Sequence, residues 1–453
     1  MDIVRFLRIS ASAAACMVAA FLCVSCDKDG DFGIDGSMEG INHEFPGNRI
    51  AHKETRRVVI FYECGFNSLY TYLSDDMNKE LPEGYLPGKG RNNDVVLVFS
   101  KLARNGSYKD VPSYLRRLYR DGNGEVVSDT LVTYPSSTVA TSGATMNEVL
   151  SYVKTNFPAK GYGLIFASHG SGWLPEGYYN NPTEFEREHW YGVSGRKYSK
   201  SMFQEDIPEG DMEKDDPYYG MVRSLGQDRM SDKDHEMDVS EFVSGIPFHL
   251  DYLLFDACLS SGLEVIYPLR NKADYIGASP AEVLADGMYD YSKLVSYLLE
   301  GPSSPDLKNL FIDSFNRYDK QSGGYRSSTV TLVRTSGLDR LASVCKDLVT
   351  KYSVEIAHAP VNKIQVYFRK NRHYFYDLED TFAQCGASKE DLATLRSAID
   401  GCIVYKNATP SMLDSFEIRT YSGFSIYLPC NGSTLLNSYF KEEEWNKAVG
   451  LVN

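Results

Sequence analysis

The stretch Asp251-Tyr-Leu-Leu-Phe-Asp-Ala-Cys-Leu-Ser-Ser261 decides how the chain is read. Leu253, Leu254 and Phe255 form an apolar run without helical spacing, which predicts a buried strand of a parallel sheet. The run stops at Asp256-Ala257-Cys258, and Ser260, Ser261 and Gly262 follow before helical spacing resumes. Open α/β sheets bind their ligands beyond the C-terminal ends of the strands, so Cys258 stands where a site is expected. Only the thiolate attacks, and a free thiol is mostly protonated at neutral pH. A nucleophile here therefore requires a base.

Gly161-Tyr-Gly-Leu-Ile-Phe-Ala-Ser-His169-Gly170 is a second apolar run, and it ends in His-Gly. If the two runs are neighbouring parallel strands, His169 and Cys258 reach the same sheet edge, a spatial pairing of base and nucleophile. None of His43, His52, His189, His235, His249, His358 and His373 ends an apolar run. No Gly-x-Ser-x-Gly elbow is present, which disfavours a serine hydrolase. Taken singly, a strand-end cysteine is more often a packed thiol, and the pair carries the argument.

Outward from these two runs, strands alternate with helices. Arg57 to Tyr62 and Asn93 to Phe99 read as strands, and Thr145 to Phe157 reads as a helix with one apolar face. Ser113 to Arg120 and Glu125 to Thr133 flank Asp121-Gly-Asn-Gly, which predicts an edge hairpin. Further helices are expected over 238–246, 263–272, 289–299, 307–318, 338–352, 391–404 and 439–452. Strands are expected over 274–279, 328–333 and 421–428. This alternation predicts an α/β core with a mainly parallel sheet.

An apolar strand ending in His169-Gly170, followed by one ending in Asp256-Ala257-Cys258, resembles the clostripain family of cysteine peptidases. The resemblance runs from about Arg57 to Tyr291 and is weaker towards the C-terminus. It implies a caspase-like α/β fold, a mainly parallel β-sheet flanked by helices, here with helical C-terminal additions. It also implies a cysteine endopeptidase working through a Cys-His dyad. Cys258 would be the nucleophile and His169 the proton carrier, with the amides of Gly170 and Cys258 forming the oxyanion hole. Glycine at 170 suits that task, since no Cβ blocks the substrate carbonyl. Asn67 follows the first strand, where the family carries an Asn-containing turn.

The resemblance further implies cleavage after Arg or Lys, with an acidic pocket. Asp256 lies two residues before Cys258 and so faces the same side of the strand. It either lines the cleft or caps the following turn. After the 274–279 strand the family usually places acidic residues, whereas this chain reads Ser279-Pro-Ala-Glu282-Val-Leu-Ala-Asp286. Ser279, Glu282 and Asp286 are therefore candidate substrate-binding residues, Glu282 or Asp286 standing in for the expected acid. Some relatives use calcium, and Asp228, Asp232, Asp234 and Asp238 form an acidic cluster, though without EF-hand spacing. No cofactor or metal is expected otherwise. Residues 171–240 break the alternation with prolines and aromatics. They are either a maturation loop, with Arg187, Arg196, Lys197, Lys200 and Lys214 as basic sites, or an ordered aromatic-rich insertion over the site.

The 453 residues carry a net charge of −14 and no basic stripe, which excludes nucleic acid as an expected partner. At the N-terminus, Arg5 and Arg8 precede an apolar stretch from Ile9 to Val24 that is short for a membrane span. Cys23-Val-Ser-Cys26 resembles a lipobox with Cys26 as the lipid-bearing residue. The acidic residues after it resemble an export signal of surface lipoproteins. The expected organisation is a signal peptide over 1–25, a tether over 26–55, a catalytic core over 56–300 and a C-terminal subdomain over 301–453. The expected location is the cell envelope, at the outer membrane or cell surface. The rival from another class is a non-catalytic lipoprotein that holds peptide or glycan in the same cleft.

Overall fold

The computed structural model describes residues 55–90, 94–104, 111–175, 178, 225–230, 234–369 and 373–453. The leader, Cys26, the tether up to residue 54 and Arg187, Arg196, Lys197, Lys200 and Lys214 lie outside the described residues.

The strands, in chain order, begin with β1 (Thr55–Gly65), β2 (Val95–Leu102), β3 (Ser113–Arg120), β4 (Val126–Tyr134) and β5 (Ala159–Ala167). Next come β6 (Leu225–Arg229), β7 (Asp234–Met237), β8 (Leu250–Asp256), β9 (Ala273–Ala278) and β10 (Thr329–Arg334). The last are β11 (Tyr376–Asp377), β12 (Ile403–Ala408), β13 (Ser411–Met412), β14 (Phe416–Glu417) and β15 (Ser425–Ile426). Nine of them form one sheet in the order β12-β10-β9-β8-β5-β1-β2-β3-β4. From β9 to β2 every pairing is parallel, and the flanking pairings are antiparallel. The parallel strands are buried on both faces, which is why they read as unbroken apolar runs. Burial alternates along much of β3, and β4 at the sheet's edge is mostly half-exposed.

Side chains leave the sheet in two sets. Ile60, Leu164 and Leu253 join a core with Met146, Leu150, Phe242 and Leu341. Val59, Ile165 and Leu254 join a second core with Leu294, Leu298 and Phe311. Helix Gly143–Asn156 belongs to the first layer. The Ser142 hydroxyl caps it, accepting from the Thr145 N–H at 3.2 Å, and Met146, Val149, Leu150 and Val153 form its buried face. Helices Tyr291–Leu299 and Leu307–Asp319 build the second layer, with Asp290 and Asp306 as caps. No described helix is long and apolar enough to cross a membrane.

Four expectations need correction. The helix expected to run to Val404 ends at Cys402, and Ile403–Ala408 becomes β12, antiparallel to β10. Ile399, Cys402 and Ile403 keep helical spacing across that junction, so periodicity hid the change. Of the strand expected over 421–428, only Ser425 and Ile426 pair, with β11. The Ser422 hydroxyl bonds the Phe424 carbonyl and amide, and Gly423 sits at φ +93°, so the backbone turns instead of extending. The closing helix is two, Thr434–Glu442 and Glu444–Val449, separated where Glu443 takes an extended ψ of 141°. The helix expected over 263–272 is one turn, Leu263–Ile266, followed by a 3-10 turn that opens at Pro268.

Candidate active site

The chain passes from β1 to β2 on one side and returns on the other through β5, β8 and β9. That reversal opens a crevice at the C-terminal ends of β1 and β5. Parallel registers align Glu63 with Ala167 and Ala167 with Asp256. Two residues beyond Ala167 stands His169, and two beyond Asp256 stands Cys258. Both line a cavity of about 130 Å³ at this rim. The sequence expectation that the two runs are adjacent parallel strands is met by the β5–β8 pairing.

Cys258 leads into a strained turn. Leu259 is wholly buried at φ +56°, a left-handed conformation costly for a residue with a branched side chain. The surroundings hold it there. The Leu259 N–H donates to the Ala281 carbonyl at 2.9 Å, and the Ser261 N–H to the Ser279 carbonyl at 2.9 Å. The Ser260 hydroxyl donates to the Ala257 carbonyl at 3.0 Å, and that of Ser261 to Gly423 at 2.8 Å. The loop after β9 sits on the thiol: the Val283 N–H donates to Sγ at 3.2 Å. Burial, then the neighbouring Glu282 charge, push the Cys258 thiol up to about 12. In this arrangement it is a neutral thiol that needs a proton acceptor to react.

His169 is 2% exposed. Its Nε2 lies 3.0 Å from the hydroxyl of Ser68, a residue that the sequence pattern did not single out. The turn carrying Ser68 is fixed by Asn67, whose side-chain amide donates to the Cys64 and Gln227 carbonyls at 2.8 Å while its oxygen accepts from the Leu69 N–H at 2.8 Å. The β6–β7 hairpin holds the backbone of His169 from the other side, the Gly226 N–H donating to its carbonyl at 2.9 Å.

Gly170 is where the two strand tips touch. A Cβ built on it would stand 2.5 Å from the Cys258 carbonyl oxygen and 3.2 Å from the Ala257 Cβ. Neither the Gly170 nor the Cys258 amide donates a hydrogen bond among the described residues. Gly170→Ala must therefore drive the β5 and β8 tips apart. Because displacements near 1 Å at a reacting centre cost about 100-fold in rate, a loss of that order is expected in kcat/KM. Steady-state assays check it, and an unchanged rate would show that the contact is not part of the working geometry.

The candidate acids divide. Asp256 is 7% exposed and lines the cavity. Its carboxylate accepts from the Met288 N–H at 2.7 Å and the Tyr291 hydroxyl at 3.0 Å, and burial raises its pKa against those bonds. It faces the cavity, and its carboxylate binds the segment after β9 instead of capping the turn that follows it. Glu282 also lines the cavity but is neutralised by Arg369 at 3.0 Å, a buried ion pair. Asp286 is exposed at the cavity mouth. Ser279 does not line the cavity. It is wholly buried, its hydroxyl 2.6 Å from Thr329 Oγ1 and 3.1 Å from the Ala281 carbonyl, so it braces β9 against β10 instead of meeting a substrate.

Asp76 was missed. It follows the short helix Tyr70–Asp75, is 5% exposed and lines the same cavity. No motif marks it, because only the packing of that helix over β1 brings it in. Burial, then the charge of Asp256, push its carboxyl up to about 8. Burial pushes that of Glu264, wholly enclosed just after the Cys258 turn, up to about 8 as well. Between the ordinary carboxylate range and about 8 the native state binds protons that the unfolded chain has released, so stability falls as pH rises. At roughly 1.4 kcal/mol per pKa unit, Tm should drop by about 5 °C or more between about pH 5 and pH 8, and a flat Tm would contradict the burial of these acids.

Of the calcium candidates, Asp228 is the one whose partners are plain. Asp228 is fully buried, accepts the Ala140 N–H at 2.6 Å and lies 3.7 Å from the equally buried Lys101 ammonium. Asp232 and the side chain of Asp234 lie outside the described residues, and no group of metal-ligating side chains forms among those described.

A cysteine and a histidine thus stand at adjacent parallel strand tips on one enclosed acidic crevice, an arrangement suited to a cysteine-type hydrolase. A profile of the clostripain family, peptidase C11, matches residues 61–184 and 208–449. The chain belongs to the clostripain family and is a cysteine-type peptidase with a caspase-like fold. Its structure is similar to an inactive zymogen C11 protease from Parabacteroides distasonis, with TM-score 0.66 and 24% identity over 88% of this chain and 99% of that one. It is likewise similar to a secreted C11 cysteine protease from Bacteroides thetaiotaomicron in complex with an irreversible peptide inhibitor. There the TM-score is 0.65 and the identity 23%, over 87% and 99% of the two chains. No curated protein matches the chain at a significant level.

Proposed function

We propose that the protein is an endopeptidase that cleaves after Lys or Arg through Cys258 and His169. The observation that carries this is the β5–β8 register, which sets the two residues at equivalent positions beyond adjacent strands and on one cavity. His169 takes the thiol proton and Cys258 Sγ attacks the scissile carbonyl carbon. The Gly170 and Cys258 amides, unengaged among the described residues, receive the oxyanion. As the C–N bond breaks, His169 passes the proton to the leaving amine, and the thioester remains. His169 then activates water, which releases the acid and restores the thiol. Asp256, with Asp286 at the mouth, favours a basic residue before the scissile bond. Tight contact between Val283 and the thiol supports a resting state that substrate must open.

The described inhibitor complex of the Bacteroides relative is consistent with peptide as substrate, and that relative's secretion with export of this chain. We read Cys26 as the lipid anchor and place a maturation cut within 171–240, outside its β6–β7 hairpin. Cleavage of a peptide library by the purified mature chain, with its own N-termini sequenced in parallel, tests the proposal. Products ending in Lys or Arg are expected. Products with no basic residue at the new C-terminus would overturn the specificity, and no products at all would favour a binding protein.

A further inference from the structure

Two carboxyl groups line the cavity and a third lies behind them, with no ion-paired cation among the described residues. Asp76 and Asp256 line it from either side of the β5 tip, and Glu63 lies in the same strand row, one strand beyond Ala167 from Asp256. Glu63 is wholly buried, and neither of its carboxylate oxygens has a hydrogen-bond partner among the described residues. None of the three forms an ion pair with a described residue. The cation whose charge acts on both Asp76 and Asp256 is Arg317, and its guanidinium donates to the Tyr289 carbonyl. Native proteins rarely enclose unpaired acids, because desolvation and mutual repulsion both oppose it. Such an arrangement is expected where an incoming positive charge completes it.

We propose that Asp76 is a specificity-determining residue, and that it and Asp256 hold the cationic end of the side chain before the scissile bond from two walls of the pocket, with Glu63 behind them. This rests on the cavity being the pocket for that side chain. A volume of about 130 Å³ corresponds to roughly four waters, space for one side chain. Glu282 cannot serve in the same way, since Arg369 already neutralises it.

A pH signature follows. Asp256, Glu80 and Asp286 all act to keep Asp76 protonated in the empty pocket, and Arg317 opposes them. Tyr291 and Tyr318 face the same acids as neutral phenols. A lysine or arginine side chain entering below about pH 8 must therefore displace a proton. Selection for basic side chains strengthens as pH rises towards 8, since lysine itself stays charged to about pH 10.

The test uses the Cys258→Ala full-length mature chain and two peptides that differ only in lysine or its neutral isostere norleucine before the scissile bond. Calorimetry in buffers of different ionisation enthalpy reads affinity and proton release together. Expected are tighter binding of the lysine peptide by about tenfold to a hundredfold at pH 8, a smaller ratio at pH 6, and net proton release. Adding Asp76→Asn should cut that ratio about tenfold, change norleucine affinity by less than about twofold, and raise Tm, because a repelling acid is gone. Asp76→Glu, which keeps the charge, should retain most of the ratio. A ratio unmoved by Asp76→Asn overturns the proposal, and so does an equal loss for both peptides with a lowered Tm. If the unmutated chain cleaves nothing yet the Asp76-dependent ratio persists, the pocket assignment stands and the peptidase proposal falls.

Discussion

Cys258→Ala is expected to abolish peptide cleavage, lowering kcat/KM by at least about 10⁴-fold, the scale seen when a covalent nucleophile is removed. The fold should survive. The thiol makes one hydrogen bond from the Val283 N–H and a long contact of 3.6 Å to its carbonyl, so its loss should cost about 1 kcal/mol. Substitution cannot be rescued by a neighbouring thiol, because Cys64, Cys345, Cys385 and Cys402 are buried and Cys430, though exposed, does not line the cavity. Initial rates together with thermal melts check both halves. An active variant would remove the mechanism, and an unfolded one would show that Sγ is a structural thiol.

Arg369→Ala is expected to destabilise the protein by about 3–5 kcal/mol, because it removes one partner of the buried ion pair with Glu282. The two side chains are 12% and 6% exposed and meet at 3.0 Å, so water cannot replace the lost partner. The effect reaches the chemistry as well. Glu282 raises the Cys258 pKa and Arg369 lowers it, so losing the arginine makes deprotonation harder and the rate should fall beyond what instability explains. Exchanging both for neutral residues of similar shape, Glu282→Gln with Arg369→Met, should cost less than the single change. Urea unfolding reads the stability. A loss below about 1 kcal/mol for Arg369→Ala would mean the pair is solvated in practice.

The legible parts of the sequence are those whose physics is local. A strand buried on both faces needs apolar residues at every position, so β1, β2, β5 and β8 announce themselves, and so do the residues at their tips. The Asp121-Gly-Asn-Gly turn likewise marks the β3–β4 hairpin, whose Gly124 takes φ +84°. What stayed hidden depends on packing between distant segments. Asp76 enters the cavity through the seat of one short helix, and Arg369 reaches Glu282 across 87 residues of chain. Ser68 meets His169 only because β1 and β5 are neighbours. Ser279 illustrates the converse error: a polar residue at a strand end looks available, yet Thr329 on β10 had already claimed its hydroxyl. β12 was masked because its first residue continued the period of the helix before it.

The most direct measurement is to treat the mature protein with a lysine-bearing peptide electrophile and locate the adduct by mass spectrometry of its fragments. One adduct is expected, on Cys258 and none of the other cysteines, forming far more slowly in His169→Ala. An adduct on exposed Cys430, or labelling of Cys258 that proceeds equally well without His169, would contradict a nucleophile and base brought together by adjacent strands.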